Sequence, residues 1–188
     1  MSRRATASQV SAGAFKQAPI SNGGERRSSF LLQCLSRCRL PDSAIALDVA
    51  CGCGRHLSHL ADVATTILGL DLDGVALQSN RKSYPSIHCL QADLANGIPI
   101  ASSTASLVVA IHPPMLDLMP EFARILLPGG LLIYESFGGR GENWRNLPKA
   151  GAVFRAAQED MRLLRYKESP VGPPGEDAVS FKLFCQRS

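Results

Sequence analysis

At 188 residues the chain can build one good hydrophobic core and is too short for two comfortable domains. Its hydrophobic content of 45% and charged content of 19% are those of a folded globular protein, and no run nears the roughly 20 apolar residues of a membrane span. The net charge of +4 is uneven: residues 1–40 hold seven Lys/Arg against Glu25 alone, so the remaining chain is slightly acidic.

Residues 1–25 are rich in Ser, Ala and Gly without periodicity and read as a flexible basic arm, with 26–188 as a single domain. The arm lacks the apolar stretch of a cleaved leader, so the expected location is the cytoplasm. A solvated tail is the favoured reading of its charge, and contact with nucleic acid the less favoured one. From Ser28 a helix is expected, with Leu31, Cys34, Leu35 and Cys38 on one stripe and Pro41 closing it.

"AIALDV" (44–49) then reads as a buried strand ending at glycines, followed by a helix with Leu57, Leu60, Ala61 and Ala64 on one face. "TILGLD" (66–71) is a second strand, and Asp73 caps the helix after it. Third and fourth strands fall at 86–93 and 105–111. A helix bearing Met115, Leu118, Met119, Phe122 and Leu126 follows, with "LPGG" as its stop and 131–137 as the fifth strand. "MRLLRYKESP" and "DAVSFKLFCQ", joined by "VGPPGE", should pair as an antiparallel hairpin. The fold class is α/β: a doubly wound, mostly parallel seven-stranded sheet with an antiparallel C-terminal hairpin.

In such a sheet, ligands bind at the carboxyl ends of the strands near the point where strand order reverses. "DVACGCGRH" occupies that place after the first strand. The dinucleotide pattern G-x-G-x-x-G fails there, because Ala50, Gly52 and Arg55 stand at its glycines, and no Walker lysine follows. A nicotinamide-dependent oxidoreductase is therefore a weak reading. Asp48, Asp71 and Asp93 end the first three strands. Asp71 can accept from two ribose hydroxyls and Asp93 from an exocyclic amine. Three carboxylates around one pocket suit a cationic, phosphate-free nucleoside, and S-adenosylmethionine is such a molecule.

"LDVACGCGRH", "ILGLDLDGVAL", "IHCLQADL" and "LLPGGLLIYESF" together resemble the class I S-adenosylmethionine-dependent methyltransferases over roughly residues 44–137. The resemblance implies a Rossmann-like fold with S-adenosyl-L-methionine as cofactor and S-adenosyl-L-homocysteine as product. By the same resemblance the loop holding Asp48, Ala50, Cys51, Gly52, Cys53 and Gly54 takes the methionine part. Asp71 with Leu72 takes the ribose, and Ala92, Asp93 and Leu94 the adenine, while Ala110, Ile111 and His112 face the sulfonium. The family usually has glycine where Ala50 stands. "YESFGGRGENWRNLPKAGAVF" resembles the corresponding segment of tellurite-resistance-type methyltransferases, which favours a small-molecule acceptor. The alternatives are an RNA or protein methyltransferase using the basic arm, and a non-catalytic S-adenosylmethionine-binding protein.

Six cysteines invite a metal or redox reading, with Cys51, Cys53, His56, His59, Cys34 and Cys38 as candidate ligands. A zinc or metalloid site at Cys51 and Cys53 would need two more ligands converging from elsewhere, and C-G-C is not the C-x-x-C of a redox motif, so packing in a crowded turn is the preferred reading over a metal site. His112 can take a proton from a substrate nucleophile or can be a rim histidine bonded to backbone. Glu135 can bind a polar substrate or cap a neighbouring helix, and Asn143 and Trp144 lie in a Gly-rich loop that can close over the site or merely connect.

Overall fold

The structure, a computed structural model, describes residues 27–113, 118–139, 148–149, 151–173, 175 and 178–188. The arm at 1–25, Met115, Asn143 and Trp144 lie outside the described residues. The chain runs α1 (Ser29–Leu35), β1 (Ile45–Val49), α2 (Leu57–Leu60), β2 (Thr66–Asp71), α3 (Gly74–Ser83) and β3 (His88–Gln91). A 3-10 turn (Leu94–Asn96) precedes β4 (Ala105–Ile111), α4 (Met119–Ile125), β5 (Leu126–Gly139), α5 (Ala152–Asp160), β6 (Met161–Pro170) and β7 (Ala178–Arg187).

The seven strands form one sheet in the order β3-β2-β1-β4-β5-β7-β6. The first five are parallel, whereas β7 lies antiparallel to both β5 and β6. From β1 the chain winds outward to β3, then returns to start β4 on the other side of β1, so the order reverses between β1 and β4. That reversal opens the crevice.

β4 reads as an unbroken apolar run because both of its faces are buried. Leu107, Val109 and Ile111 pack with Phe30, Leu31, Cys34, Leu57, Leu60 and Leu77 of α1, α2 and α3. Val108 and Ala110 pack the other way, with Phe122 and Ile125 of α4 and Val153 and Ala157 of α5. α1 begins where Ser28 accepts a bond from Leu31 N–H at 3.0 Å. It ends at Leu35, well before Pro41, although Cys38 is still buried one turn further on.

Three local expectations need correcting. α2 spans only Leu57–Leu60, with Ala61 exposed; it starts without a side-chain cap and runs into Val63 and two threonines, which favour extended backbone. "LPGG" is not a helix stop. α4 ends at Ile125, Leu126 already pairs with Ala105, and the ladder resumes at Leu131 with Leu107. Residues 127–130 bulge out between those pairs, and a Cβ on Gly130 would meet Leu127 O at 2.8 Å and Ala105 O at 3.1 Å. Finally, α5 occupies a stretch to which the sequence reading assigns no element, although Val153, Ala156 and Ala157 fall on one helical face against the core.

Candidate functional site

β1 delivers Asp48 to the reversal point, where its side chain is buried and its Oδ2 has no hydrogen-bond partner among the described residues. Burial raises the Asp48 carboxyl to about 7, Arg55 opposes the rise, and Asp71 adds to it. The turn that follows takes positive φ at alternate residues: Ala50 at 60°, Gly52 at 50° and Gly54 at 73°. Buried Asn80 of α3 pins this turn by donating to Gly52 O at 2.8 Å. At Gly54 a Cβ would meet Asn80 Oδ1 at 2.6 Å and Leu57 Cδ1 at 2.8 Å, so only glycine fits. At Gly52 a Cβ would meet nothing within 4 Å, so this side of the turn is open to the crevice.

The two sulfurs of the turn diverge. Cys51 is buried beside Gly69, where an added Cβ would lie 2.9 Å from its Sγ, and burial pushes its thiol well above the ordinary range. Cys53 is exposed. Among the described residues no group of three or more His, Cys, Asp or Glu converges as a metal site.

At the end of β2, Asp71 joins the turn to its own strand, accepting from Gly52 N–H at 2.7 Å and Asp73 N–H at 2.9 Å. A carboxylate has about four lone-pair sites, so capacity for ribose hydroxyls remains. Leu72 beside it is 61% exposed, an uncovered apolar surface suited to a flat ring. Ala92 N–H bonds Asp71 O at 2.9 Å and sets β3's end against β2's. Asp93 caps the 3-10 turn through Ala95 N–H at 3.0 Å, with its side chain otherwise exposed and Leu94 buried behind it. A groove of about 510 Å³ extends from Ala92 and Asp93 toward Glu121 and Arg124. Asp48 and Asp71 do not line it, so the strand-end carboxylates themselves define the candidate site.

Across the reversal point, Ala110 and Ile111 are buried in the sheet, so only their backbone can border the crevice. His112 turns out at φ 58°, a conformation few non-glycine residues take. Its N–H donates to Glu135 O at 2.7 Å, and its ring stacks on Phe137 with centroids 4.6 Å apart and planes 4° from parallel. Partial desolvation lowers the His112 pKa; Glu135 opposes this, while Arg55 and Lys182 reinforce it.

The carboxylate of Glu135 is engaged on both oxygens. The Ser28 hydroxyl donates to one, and Lys182 of β7 lies 3.2 Å from the other. Ser28 N–H also donates to His56 Nε2 at 3.4 Å, and burial, helped by Arg55, lowers buried His56 to about 4. Ser28, His56 and Lys182 thus join His112 and Glu135; the sequence offered His56 only as a candidate metal ligand and placed neither Ser28 nor Lys182 at a site. Ser28 was legible only as the start of a helix, and nothing local in β7 points Lys182 at Glu135.

A doubly wound sheet with an antiparallel C-terminal hairpin, a glycine turn at the reversal point and acids ending three neighbouring strands is the arrangement that the resemblance to class I S-adenosylmethionine-dependent methyltransferases implies. Residues 46–130 match the family described as "Methyltransferase domain". Trans-aconitate 2-methyltransferase of Azoarcus sp. (strain BH72) is 33% identical over 103 residues, covering 52% of this chain and 41% of that protein. A dTDP-3-amino-3,6-dideoxy-alpha-D-glucopyranose N,N-dimethyltransferase of Streptomyces fradiae is 35% identical over 111 residues, covering 55% of this chain and 44% of that protein. The chain therefore spans less than half the length of these curated relatives. Among solved structures, geranyl diphosphate C-methyltransferase from Streptomyces coelicolor A3(2), in complex with S-adenosyl-L-homocysteine among its ligands, superposes with a TM-score of 0.68. It is 12% identical, with 84% of this chain and 75% of that chain covered, a likeness of fold.

The donor set fits S-adenosylmethionine. The partnerless buried oxygen of Asp48 suits an ammonium group, and Asp71 retains acceptor capacity beside the open face of Gly52. Among the described residues no helix is long and apolar enough to cross a membrane.

Proposed function

We propose that this chain binds S-adenosyl-L-methionine across Asp48, the turn Ala50–Gly54, Asp71 with Leu72, and Ala92, Asp93 and Leu94, and methylates a small-molecule acceptor seated against His112. The observation that carries this reading is the buried, unpartnered Oδ2 of Asp48 at the reversal point. A buried polar atom without a partner costs about 1–3 kcal/mol, a cost that a ligand ammonium group would remove. The relatives named for trans-aconitate and for an amino sugar support a small acceptor.

The cofactor, when bound, supplies an electrophilic methyl group; the protein supplies position. Holding an acceptor atom about 3 Å from that carbon, in line and away from water, lowers the barrier by several kcal/mol without an acid or base. His112, kept neutral near pH 7 by its lowered pKa, stands at the rim to take the proton of a hydroxyl or amine acceptor. Glu135 acts behind it, holding the His112 N–H on its carbonyl and tying Ser28 and Lys182 to its carboxylate.

Thermal unfolding with S-adenosylmethionine, S-adenosylhomocysteine and NADH side by side tests the cofactor assignment. Either adenosyl ligand, at about 100 times its dissociation constant, should stabilise the fold by roughly 2.7 kcal/mol. Asp71→Ala should abolish that shift. A shift with NADH and none with the adenosyl ligands would overturn the reading.

A further inference from the structure

On the strength of the methyltransferase reading, we infer that the acceptor is an anion, a carboxylate or phosphate ester, recognised by Arg55 with Arg27 and Lys182 on the His112 side of the crevice.

A chain of contacts gathers these cations. Arg55 stands between Gly54, which closes the cofactor turn, and His56, which Ser28 N–H reaches at 3.4 Å. Arg27 immediately precedes Ser28, whose hydroxyl bonds Glu135. Glu135 in turn holds Lys182 at 3.2 Å and, through its carbonyl, His112 N–H at 2.7 Å. Among the described residues, one short network thus holds Lys182 at the Glu135 carboxylate and sets the chain neighbours Arg27 and Arg55 on the side where His112 faces outward. That carboxylate is already satisfied by Ser28 and Lys182. Asp48 and Asp71 belong to the cofactor side.

Arg55 is exposed and makes no hydrogen bond or ion pair among the described residues. Its backbone runs from Gly54, buried against Asn80 in the turn, to buried His56, which accepts from Ser28 N–H, so Arg55 stands at the seam between the turn and the Glu135 side of the crevice. A free guanidinium presents a planar fork of donors that matches carboxylate and phosphate oxygens, and it repels an ammonium. The flat His112–Phe137 pair beside it offers an apolar wall for the rest of the acceptor.

The test uses the full chain saturated with S-adenosylhomocysteine and titrated calorimetrically with citrate, inorganic phosphate, putrescine and glucose at low ionic strength. Citrate or phosphate should bind, with the stronger of the two identifying the anion type, while putrescine and glucose should not. Arg55→Gln should weaken the anion by about tenfold or more, the worth of a charge-assisted hydrogen bond. It should weaken S-adenosylhomocysteine far less than the anion, and Arg55→Lys should restore part of the loss. Preference for putrescine or glucose, or anion affinity indifferent to Arg55→Gln, would overturn the inference. Loss of S-adenosylhomocysteine affinity in Arg55→Gln, with citrate and phosphate binding intact, would assign Arg55 to the cofactor and overturn it equally. Tight, steeply salt-dependent binding of a single-stranded RNA with none of citrate or phosphate would replace it with a macromolecular acceptor. Wild-type protein that takes no S-adenosylhomocysteine at all would instead sink the methyltransferase reading beneath it.

Discussion

The Ser28 hydroxyl donates to the carboxylate of Glu135, 107 residues further along the chain, while the same oxygen accepts from Leu31 N–H to start α1. One hydroxyl therefore caps a helix and docks it on β5 at the edge of the crevice. Ser28→Ala should lose the cap and a donor to a nearly buried carboxylate, destabilising the fold by about 1–3 kcal/mol in urea unfolding. Ser28→Asp separates the two roles. Aspartate caps as well as serine, yet here it sets a second carboxylate against Glu135, so it should be less stable than Ser28→Ala. Stability equal to wild type in Ser28→Asp would sink the docking role.

Asp48, at the end of β1, links stability to pH. Burial, only partly offset by Arg55, raises its carboxyl from 3.8 to about 7, so the folded protein holds a proton there that the unfolded chain has lost. Stability should therefore fall as pH rises between those two values, by up to roughly 1.4 kcal/mol per unit while the proton difference persists. Asp48→Asn should flatten this slope in urea midpoints taken from pH 4 to 8 (about the window in which the two states differ). A slope that survives the substitution would assign the titration to another group.

Ala50 sits at φ 60°, a left-handed conformation that glycine takes more readily. A non-glycine residue in that region costs about 1–2 kcal/mol, and glycine gives back about 0.5–1 kcal/mol through its freer unfolded chain. Ala50→Gly should thus stabilise the fold by up to about 1 kcal/mol, a rise of about 2–4 °C in Tm. A fall in Tm would mean that the Ala50 methyl contributes packing that outweighs its backbone strain.

Glu121 and Arg124 of α4 clip the segment before β4 in place. Glu121 accepts from Ile98 N–H at 2.9 Å, and Arg124 donates to Ile98 O and Ile100 O at 2.7 Å each. The hydrogen bond from Arg124 leads in lowering the Glu121 carboxyl from 4.5 to about 2, against a smaller effect of burial. The pKa is depressed on folding, so this contribution is complete above 4.5 and is lost as pH falls toward 2. Glu121→Gln should flatten acid unfolding over that range, measured by far-ultraviolet circular dichroism. An unchanged acid limb would leave the clip without a role in acid stability.

Much of this protein is written in short stretches of its sequence. The buried parallel strands, the turn after Val49, the caps at Ser28 and Asp73 and the acids at 48, 71 and 93 follow from local rules. Apolar runs, capping side chains and glycine conformations act within a few residues. The doubly wound order and the hairpin follow because crossovers between parallel strands have one hand and a Pro/Gly turn reverses the chain. The weak local signals were misleading. "LPGG" reads as a helix stop although pairing to β4 draws it into a bulged strand, and α5 follows a Gly-rich stretch and starts without a capping side chain, so its onset carries no local signal.

What only the tertiary structure decided is the far side of the crevice. β7 enters the sheet between β5 and β6, which brings Lys182 opposite Glu135. α1 folds back so that Ser28 meets Glu135 and His56. The lack of a partner for Asp48 Oδ2 likewise depends on everything packed around it. None of these has a local signature, because each is fixed by packing between segments distant in the chain, where neighbouring residues hold no information about the partner.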